Sequence, residues 1–195
     1  MSSPEISTRD RILIATAKLL EASEGKGVRM SDIAKAAGIS RQALYLHFET
    51  RTELLIETTY YLDRLYGSDE RLKASRQAKT GIERLDAFIT AWGGYIPEIY
   101  GVARPIIAMG AADEAAAEAW NKRMQDMREG CEAAIVALER DGMLRRENSV
   151  RMATDLLWAL LSVGNWERLR FDCGWSQEQF ISRLKQSAKR LFVAG

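Results

Sequence analysis

Apolar side chains recur every three or four residues along most of the chain, which is the period of an amphipathic helix. Stretches of strict alternation that would predict β-strands do not occur. Between the periodic segments stand glycines, where helices are expected to stop: Gly25, Gly38, Gly67, Gly142 and Gly174. The pattern therefore predicts an all-α fold of about nine helices, near residues 8–24, 31–37, 40–48, 50–66, 80–96, 98–110, 113–141, 148–171 and 176–193.

Two prolines complicate the middle of this pattern. Proline has no backbone N–H and its ring clashes with the preceding turn of a helix. Pro97 is therefore expected to end one helix. Pro105 is expected to kink or split the segment 98–110.

The segment Ser31–Phe48 carries the strongest local signal in the chain. Gly38 lies where the chain must reverse, and glycine tolerates the left-handed backbone conformation with which many helices end. Ser40 follows at a position where its hydroxyl can cap a second helix. Two short helices joined by so tight a turn predict a helix-turn-helix, which sets its second helix in the major groove of DNA.

The second of these helices has an apolar and a polar side. At about 100° per residue, positions four apart share one edge, and Leu44 and Phe48 form the inward one. The outward positions and the two flanks are Gln42, Ala43, Leu46, Tyr45 and His47. Flanking hydroxyl and imidazole groups can reach the phosphates on the walls of a groove. Periodicity alone leaves one alternative, an ordinary helical hairpin with a solvated face.

Residues 9–55 resemble the DNA-binding domain of the TetR family of bacterial transcriptional regulators. The resemblance is carried by the opening helix RILIATAKLL, by SDIAKAAGIS, and by LYLHF followed by ETRTELL. It implies a three-helix helix-turn-helix domain over residues 1–50 and a larger helical ligand-binding and dimerisation domain over 51–195. The family consists of homodimers, usually repressors that bind a palindromic operator in double-stranded DNA and are released by a small ligand.

The motif and the resemblance together give the candidate DNA-binding residues Ser31, Ser40, Arg41, Gln42, Ala43, Tyr45, Leu46, His47 and Arg51. Gln42 can pair its amide with adenine, and Arg41 can bind guanine or hold a phosphate. Leu46 is suited to apolar contact with a thymine methyl group or a sugar. Arg51 matches a position that is usually basic in the family, and a phosphate partner would explain a cation at a helix start.

Aromatic and methionine side chains in the middle of the chain can line an apolar pocket. The candidate ligand-binding residues are Trp92, Tyr95, Trp120, Met124, Met127, Asp155 and Trp158. Side chains at this helical spacing can equally well fill a core, so both interpretations stand. Asp155 lies within an apolar stretch, and a buried carboxylate needs a partner, either an arginine across the dimer or a cationic ligand. The expected effector is a small apolar or aromatic molecule.

The C-terminal helices predict a partner chain. Residues 153–164 are apolar at nearly every position, and a helix that is apolar all round must be buried on two sides. The last helix adds an apolar stripe suited to a bundle. The predicted interface of a two-fold, four-helix homodimer consists of Leu156, Leu160, Val163, Ile181, Leu184, Ala188 and Leu191. The alternative is a monomer in which both helices are simply central.

Composition limits the remaining function classes. The 195 residues are 47% hydrophobic and 28% charged, which indicates a globular chain. The net charge is only +1, so the prediction of DNA binding depends on the geometry of the motif and not on overall charge. Cys131 and Cys173 have no metal-ligand spacing and are expected to be reduced thiols, with a redox pair as the alternative. With one histidine, no glycine-rich phosphate loop and no nucleophile motif, we expect neither an enzyme nor a resident cofactor or metal.

The chain also lacks the features of a membrane or exported protein. No apolar run approaches the roughly 20 residues that a membrane span needs. The N-terminal sequence MSSPEIST has neither the basic nor the apolar block of a signal peptide, so a cytoplasmic location is expected. The functions that stay open beside a ligand-released repressor are a transcriptional activator and a helical adaptor that responds to a protein partner.

Overall fold

The computed structural model describes residues 6–23 and 25–194. Over these residues the chain forms ten α-helices and a short π-helical segment, with one isolated antiparallel bridge between Leu144 and Val193. The prediction of an all-α fold is confirmed. Residues 1–5, which belong to the predicted DNA-binding domain, lie outside the described residues.

By its internal contacts the chain divides into two compact units, of which the first comprises Met1–Leu65 and Ile99–Arg123. Its helices are α1 (Thr8–Ala22), α2 (Met30–Ala36), α3 (Arg41–His47) and α4 (Arg51–Leu65), with the end of α6 (Gly81–Met109) and the start of α7 (Glu114–Arg140). Helix α1 packs against α2 and α4, and α2 packs against α3. The fully buried residues of α1 to α4 include Ile12, Leu13, Leu20, Ile33, Leu44, Leu54 and Leu55.

The local signals that begin and end these helices behave as the sequence predicts. The Ser7 hydroxyl accepts a hydrogen bond from the Asp10 amide at 3.0 Å, which caps α1. Gly38 has a φ of 70°, so the reversal between α2 and α3 uses the left-handed conformation that glycine allows. The Ser40 hydroxyl accepts from the Ala43 amide at 3.0 Å and caps α3. The helix-turn-helix is therefore confirmed as a backbone arrangement.

The second unit comprises Tyr66–Glu98 and Met124–Gly195. Besides the remaining parts of α6 and α7, it contains α5 (Ser68–Arg76), α8 (Val150–Leu160), α9 (Val163–Glu167), a π-helical segment (Arg168–Asp172) and α10 (Gln177–Phe192). Helix α10 packs against α8. The fully buried residues of this second unit include Leu85, Ile89, Ile135, Leu138, Leu157, Phe180 and Phe192.

The prediction that Pro97 ends a helix is wrong, and so is the prediction of a separate or split helix over 98–110, whereas a kink at Pro105 stays a prediction. Helix α6 runs without interruption from Gly81 to Met109. Pro97 has no N–H to donate to the Gly93 carbonyl four residues earlier. Instead, the side-chain amide Nε2 of Gln177 donates to that carbonyl at 2.6 Å, so the buried acceptor keeps a partner and the helix continues.

Two further boundaries differ from the prediction. Helix α5 replaces an expected loop, and the predicted single helix 148–171 is divided into α8, α9 and the π-helical segment. The break follows Leu161, where the Ser162 hydroxyl accepts from the Asn165 amide at 3.2 Å and starts α9. The contact units do not test the predicted functional boundary after residue 50, which remains a prediction.

Candidate DNA-binding surface

Helix α3 buries one edge and exposes the other. Leu44 and Phe48 are fully buried. On the opposite side Gln42 is exposed, and Leu46 is 84% exposed, the most accessible of the exposed large hydrophobic side chains among the described residues. Arg41, the first residue of the helix, is also exposed. An α-helix that presents such an edge can enter the major groove of DNA and contact base edges.

The flanks of α3 are less open than its central strip. Tyr45 is 38% exposed, and the Arg41 guanidinium carbon lies 5.6 Å from its ring centroid, so the two side chains share one flank. His47 and Ala43 are half-buried. The Ala43 amide is already bonded to Ser40, which makes Ser40 a cap as well as a candidate contact.

Arg51, predicted to hold a DNA phosphate, has a partner within its own unit. Its Nη1 atom donates to both carboxylate oxygens of Asp113 at 2.6 Å, and its Nε atom donates to the Val28 carbonyl at 3.1 Å. The disfavoured cation at the start of α4 is thus compensated internally. Asp113 was not among the residues singled out from sequence, because nothing local links it to a residue 62 positions earlier.

The environment of Asp113 favours its charged form. Partial burial raises the pKa of its carboxyl group, but hydrogen bonds from Arg51 and from the amides of Ala116 and Ala115, with the guanidinium charge, hold that pKa below its usual range. The Ala116 amide donates to the Asp113 carboxylate at 3.2 Å, so Asp113 also caps the start of α7.

A cleft of about 450 Å³ opens beside the start of α2. It is lined by Lys26, Gly27, Val28, Arg29, Met30, Ser31, Arg41, Arg51 and Asp113. Three of these, Ser31, Arg41 and Arg51, belong to the predicted DNA-binding set. Lys26 and Arg29 do not, since they lie before the helix-turn-helix, although both are exposed cations.

Several predicted ligand-binding residues lie in the interior of the second unit. Trp92 and Tyr95 are buried, with ring centroids 6.0 Å apart, and the Trp92 indole Nε1 donates to the Leu161 carbonyl at 2.8 Å. Met127 is buried beside Cys131, with 3.8 Å between the sulfur atoms. These contacts fit the alternative interpretation of core residues, so their role in ligand binding stays a prediction.

The remaining members of that set lie nearer the surface. Trp158 is half-buried and donates from Nε1 to the Met124 carbonyl at 3.1 Å. The expectation of a buried Asp155 is wrong. Its side chain is half exposed, and it pairs with Arg128 of the same chain at 2.7 Å. Trp120 is half-buried and belongs to the first unit.

The predicted dimer residues divide by exposure. Leu156 and Leu191 are exposed, and Leu160 and Ile181 are half-buried. Three others are buried within the chain itself: Val163, Leu184 and Ala188. These three expose little surface in the single chain, so their part in a dimer interface stays a prediction.

The two cysteines are free and differ in access. Cys173 is exposed, whereas Cys131 is buried. Burial raises the pKa of the Cys131 thiol far above its usual range, and the nearby Arg128 charge offsets this only in part. In the part of the chain that the structure describes, no helix is both long and apolar enough to cross a membrane.

This geometry defines a helix-turn-helix protein of the DNA-binding class. Residues 12–58 match the model of the bacterial regulatory proteins of the TetR family. A nucleoid occlusion factor SlmA from Marinomonas sp. (strain MWYL1) is 27% identical over 115 residues, which are 58% of this chain. The chain spans only 57% of that relative's length.

Solved structures show a likeness over nearly the whole chain. A transcriptional regulator from Saccharomonospora viridis in complex with choline has a TM-score of 0.73 at 18% identity, over 96% of this chain and 98% of its own. NalD, the secondary repressor of the MexAB-OprM multidrug efflux pump in Pseudomonas aeruginosa, has a TM-score of 0.67 at 22% identity, over 95% and 96%. Residues 12–58 therefore carry the DNA-binding domain of the bacterial regulatory proteins of the TetR family, and the chain shares its fold with these solved regulators.

Proposed function

We propose that this protein is a cytoplasmic transcriptional repressor that binds a palindromic operator as a homodimer and leaves it when a small molecule binds. Helix α3 would read bases through Arg41, Gln42 and Leu46. NalD, which is similar in fold, is named as a repressor, and this supports repression over activation.

One observation carries the DNA-binding part of this proposal. Leu44 and Phe48 are fully buried, while Gln42 and Leu46 on the opposite edge of α3 are exposed and Arg41 is exposed on a flank. An exposed leucine beside an amide group is suited to a base edge, where it can meet a thymine methyl group while the amide pairs with a base.

The homodimer is supported by an apolar strip on two packed helices. Met152 and Leu156, one turn apart on α8, are 55% and 47% exposed, and Leu191 on α10 is 45% exposed. Helices α8 and α10 pack against each other, so two copies of the pair would make a four-helix interface. A two-fold dimer places its two reading helices on half-sites about 34–36 Å apart, one helical turn of DNA.

Release by a small molecule is supported by the chemistry of the second unit. Its interior holds adjoining Trp92 and Tyr95 rings and the adaptable thioether of Met127. The regulator from Saccharomonospora viridis, similar in fold, was solved with choline. We propose a small apolar or aromatic effector, which must bind the DNA-free form more tightly; a coupling of about 1–3 kcal/mol would weaken operator binding about five- to 150-fold.

Two other functions are compatible with the same fold. A regulator of this type can activate transcription when its operator lies where a bound dimer assists polymerase. The SlmA relatives are named nucleoid occlusion factors, and this favours, as a second candidate, a DNA-bound adaptor that responds to a protein partner.

The experiment measures binding of the purified chain to the DNA immediately upstream of its own coding sequence. Fluorescence anisotropy should give saturable binding that survives excess non-specific DNA, and Leu46→Glu should abolish the specific component. A promoter–reporter fusion in cells then decides between repression and activation. Failure of the wild-type chain to bind any genomic fragment in a selection experiment would overturn the proposal.

A further inference from the structure

The cleft beside α2 concentrates positive charge. Four cations line it (Lys26, Arg29, Arg41 and Arg51), and Asp113 is the one carboxylate in its lining. Residues 1–55 together carry eight cations and seven anions, so their net charge is only +1. The charge of this part of the chain is therefore not spread evenly, because the four cations and one carboxylate of the cleft lining leave a net charge of +3 there.

Most of these cations are not neutralised by the protein. Among the described residues, no carboxylate forms an ion pair with Lys26, Arg29 or Arg41. Three unpaired cations around one cleft repel one another, and an anion bound between them would relieve that repulsion. The floor of the cleft includes Gly27 and Val28, where backbone can approach a ligand closely.

Arg51 is the exception, and its geometry shows what the cleft accepts. Its Nη1 atom bonds both oxygens of Asp113 at 2.6 Å, while none of the described residues accepts a hydrogen bond from Nη2. A guanidinium group can also donate from two of its nitrogens at once, to two oxygens of a carboxylate or a phosphate. The Asp113 carboxylate thus occupies one side of a group that can take a second anion.

We propose that this cleft binds a phosphate group and that the Asp113 carboxylate competes with that phosphate for Arg51. Lys26 and Arg29 complete the site from the segment before α2. The phosphate can come from the DNA backbone or from a small phosphorylated molecule that competes with DNA. The first source rests on the proposed function, whereas the affinity of the cleft for phosphate does not.

Asp113→Asn tests the role of the internal carboxylate. Asparagine keeps the shape of the side chain and the ability to cap α7, so only the charge is removed. We expect tighter binding to DNA of any sequence, with the slope of log affinity against log salt steeper by about 0.9 per subunit. This gain should shrink about threefold between 50 and 200 mM salt. Asp69→Asn, in the second unit, removes an equal charge and should change neither quantity.

Lys26→Gln and Arg29→Gln test the other side of the cleft. Each should weaken binding to operator and random DNA alike and reduce the magnitude of the salt slope by about 0.9. Lys18→Gln, an exposed cation on α1, is the matched control. Melting temperatures of all variants show whether the fold is kept.

Pyrophosphate at constant ionic strength tests the free ligand. Amide signals of Gly27 and Ser31 should shift on titration, less so in Lys26→Gln, and DNA should be displaced. Shifts without any DNA binding by the wild-type chain would support the cleft and overturn the proposed function. Variant effects on DNA without shifts assign the site to the DNA backbone. Neither effect, or weaker DNA binding by Asp113→Asn, overturns the inference.

Discussion

The guanidinium carbon of Arg9 lies 4.3 Å from the centroid of the Phe48 ring, directly after the C-terminal end of α3. The same side chain donates from Nη1 to the His47 carbonyl at 3.1 Å and from Nη2 to Glu57 at 2.9 Å. One residue of α1 therefore contacts the end of α3 and the side of α4 together. Arg9 is a positioning residue for the reading helix, because it touches the end of that helix and not its exposed strip.

Arg9→Met should loosen α3 without unfolding the domain. Methionine keeps an apolar stem over Phe48 and removes both hydrogen bonds, which are worth about 1–2 kcal/mol together. We expect the free energy of unfolding in urea to fall by about that amount, and affinity for operator and random DNA to fall together. Arg11→Met, an exposed neighbour on α1, is the control. Equal behaviour of the two variants would remove the positioning role.

Gln42→Ala should relax sequence preference. The exposed amide is the side chain on α3 best suited to a bidentate bond with adenine, worth about 1–3 kcal/mol of discrimination. The ratio of operator to random-DNA affinity should fall by about tenfold or more at one position of each half-site, as read from a library of operator variants. An equal loss on every sequence would show that Gln42 contacts the backbone only.

Leu156→Glu should separate the homodimer. The substitution places a charge on the exposed strip of α8, where burial against a second copy would be costly. Light scattering after gel filtration should give the monomer mass at micromolar concentration, and the specific affinity for the palindrome should fall. Leu65→Glu, at a comparably exposed leucine, should remain dimeric. A wild-type chain that is monomeric at all concentrations would contradict the proposed assembly.

Gln177→Met should destabilise the second unit. Gln177 serves two buried groups, since it donates to the Gly93 carbonyl at 2.6 Å and accepts from the Trp166 indole at 2.8 Å. The Gly93 carbonyl loses this donor in the variant, and a buried carbonyl left unsatisfied costs about 1–3 kcal/mol. Denaturant unfolding followed by circular dichroism measures this. Gln186→Met, exposed on the same helix, should change stability by less than about 0.5 kcal/mol.

The two cysteines should react in sequence with a thiol reagent. Burial disfavours the charged thiolate and so raises the pKa of Cys131, which leaves that residue protonated and inaccessible at pH 8. Cys173 is exposed and should react at once. Absorbance should report one thiol per native chain and two in guanidinium chloride. Rapid reaction of both in native buffer would contradict the buried position of Cys131.

Local signals in the sequence predicted the helix-turn-helix well. The cap at Ser40, the left-handed turn at Gly38 and the buried Leu44 each depend on residues within a few positions, and each is confirmed. At the start of α10, Ser176 and Gln179 form a capping box with both of its hydrogen bonds, another signal that depends on neighbouring residues only. Helix α5 escaped prediction because Ser75 is its single buried residue, so it has almost no hydrophobic period to detect.

The missed features all depend on contacts between distant positions. Pro97 would end a helix by its own chemistry, and it does not because Gln177, some 80 positions later, supplies the missing donor. From the sequence alone, Arg51 at a helix start suggests an anion from outside the chain. In the structure the Asp113 carboxylate, from the same unit, is the anion that Arg51 contacts. Periodicity detects which side of a helix is apolar, but it cannot distinguish a core side chain such as Val163 from one that meets a second chain.

Helix α6 contributes its first 18 residues to one compact unit and its last 11 to the other, and α7 is shared in the same manner. A fragment that stops at Leu65 would lack the buried side chains of Val102, Ile106 and Ala116, which come from those shared helices. The helix-turn-helix end of this chain therefore does not build its core from the residues up to Leu65 alone. Chimeras that graft this end onto another protein should carry residues 99–123 along with it.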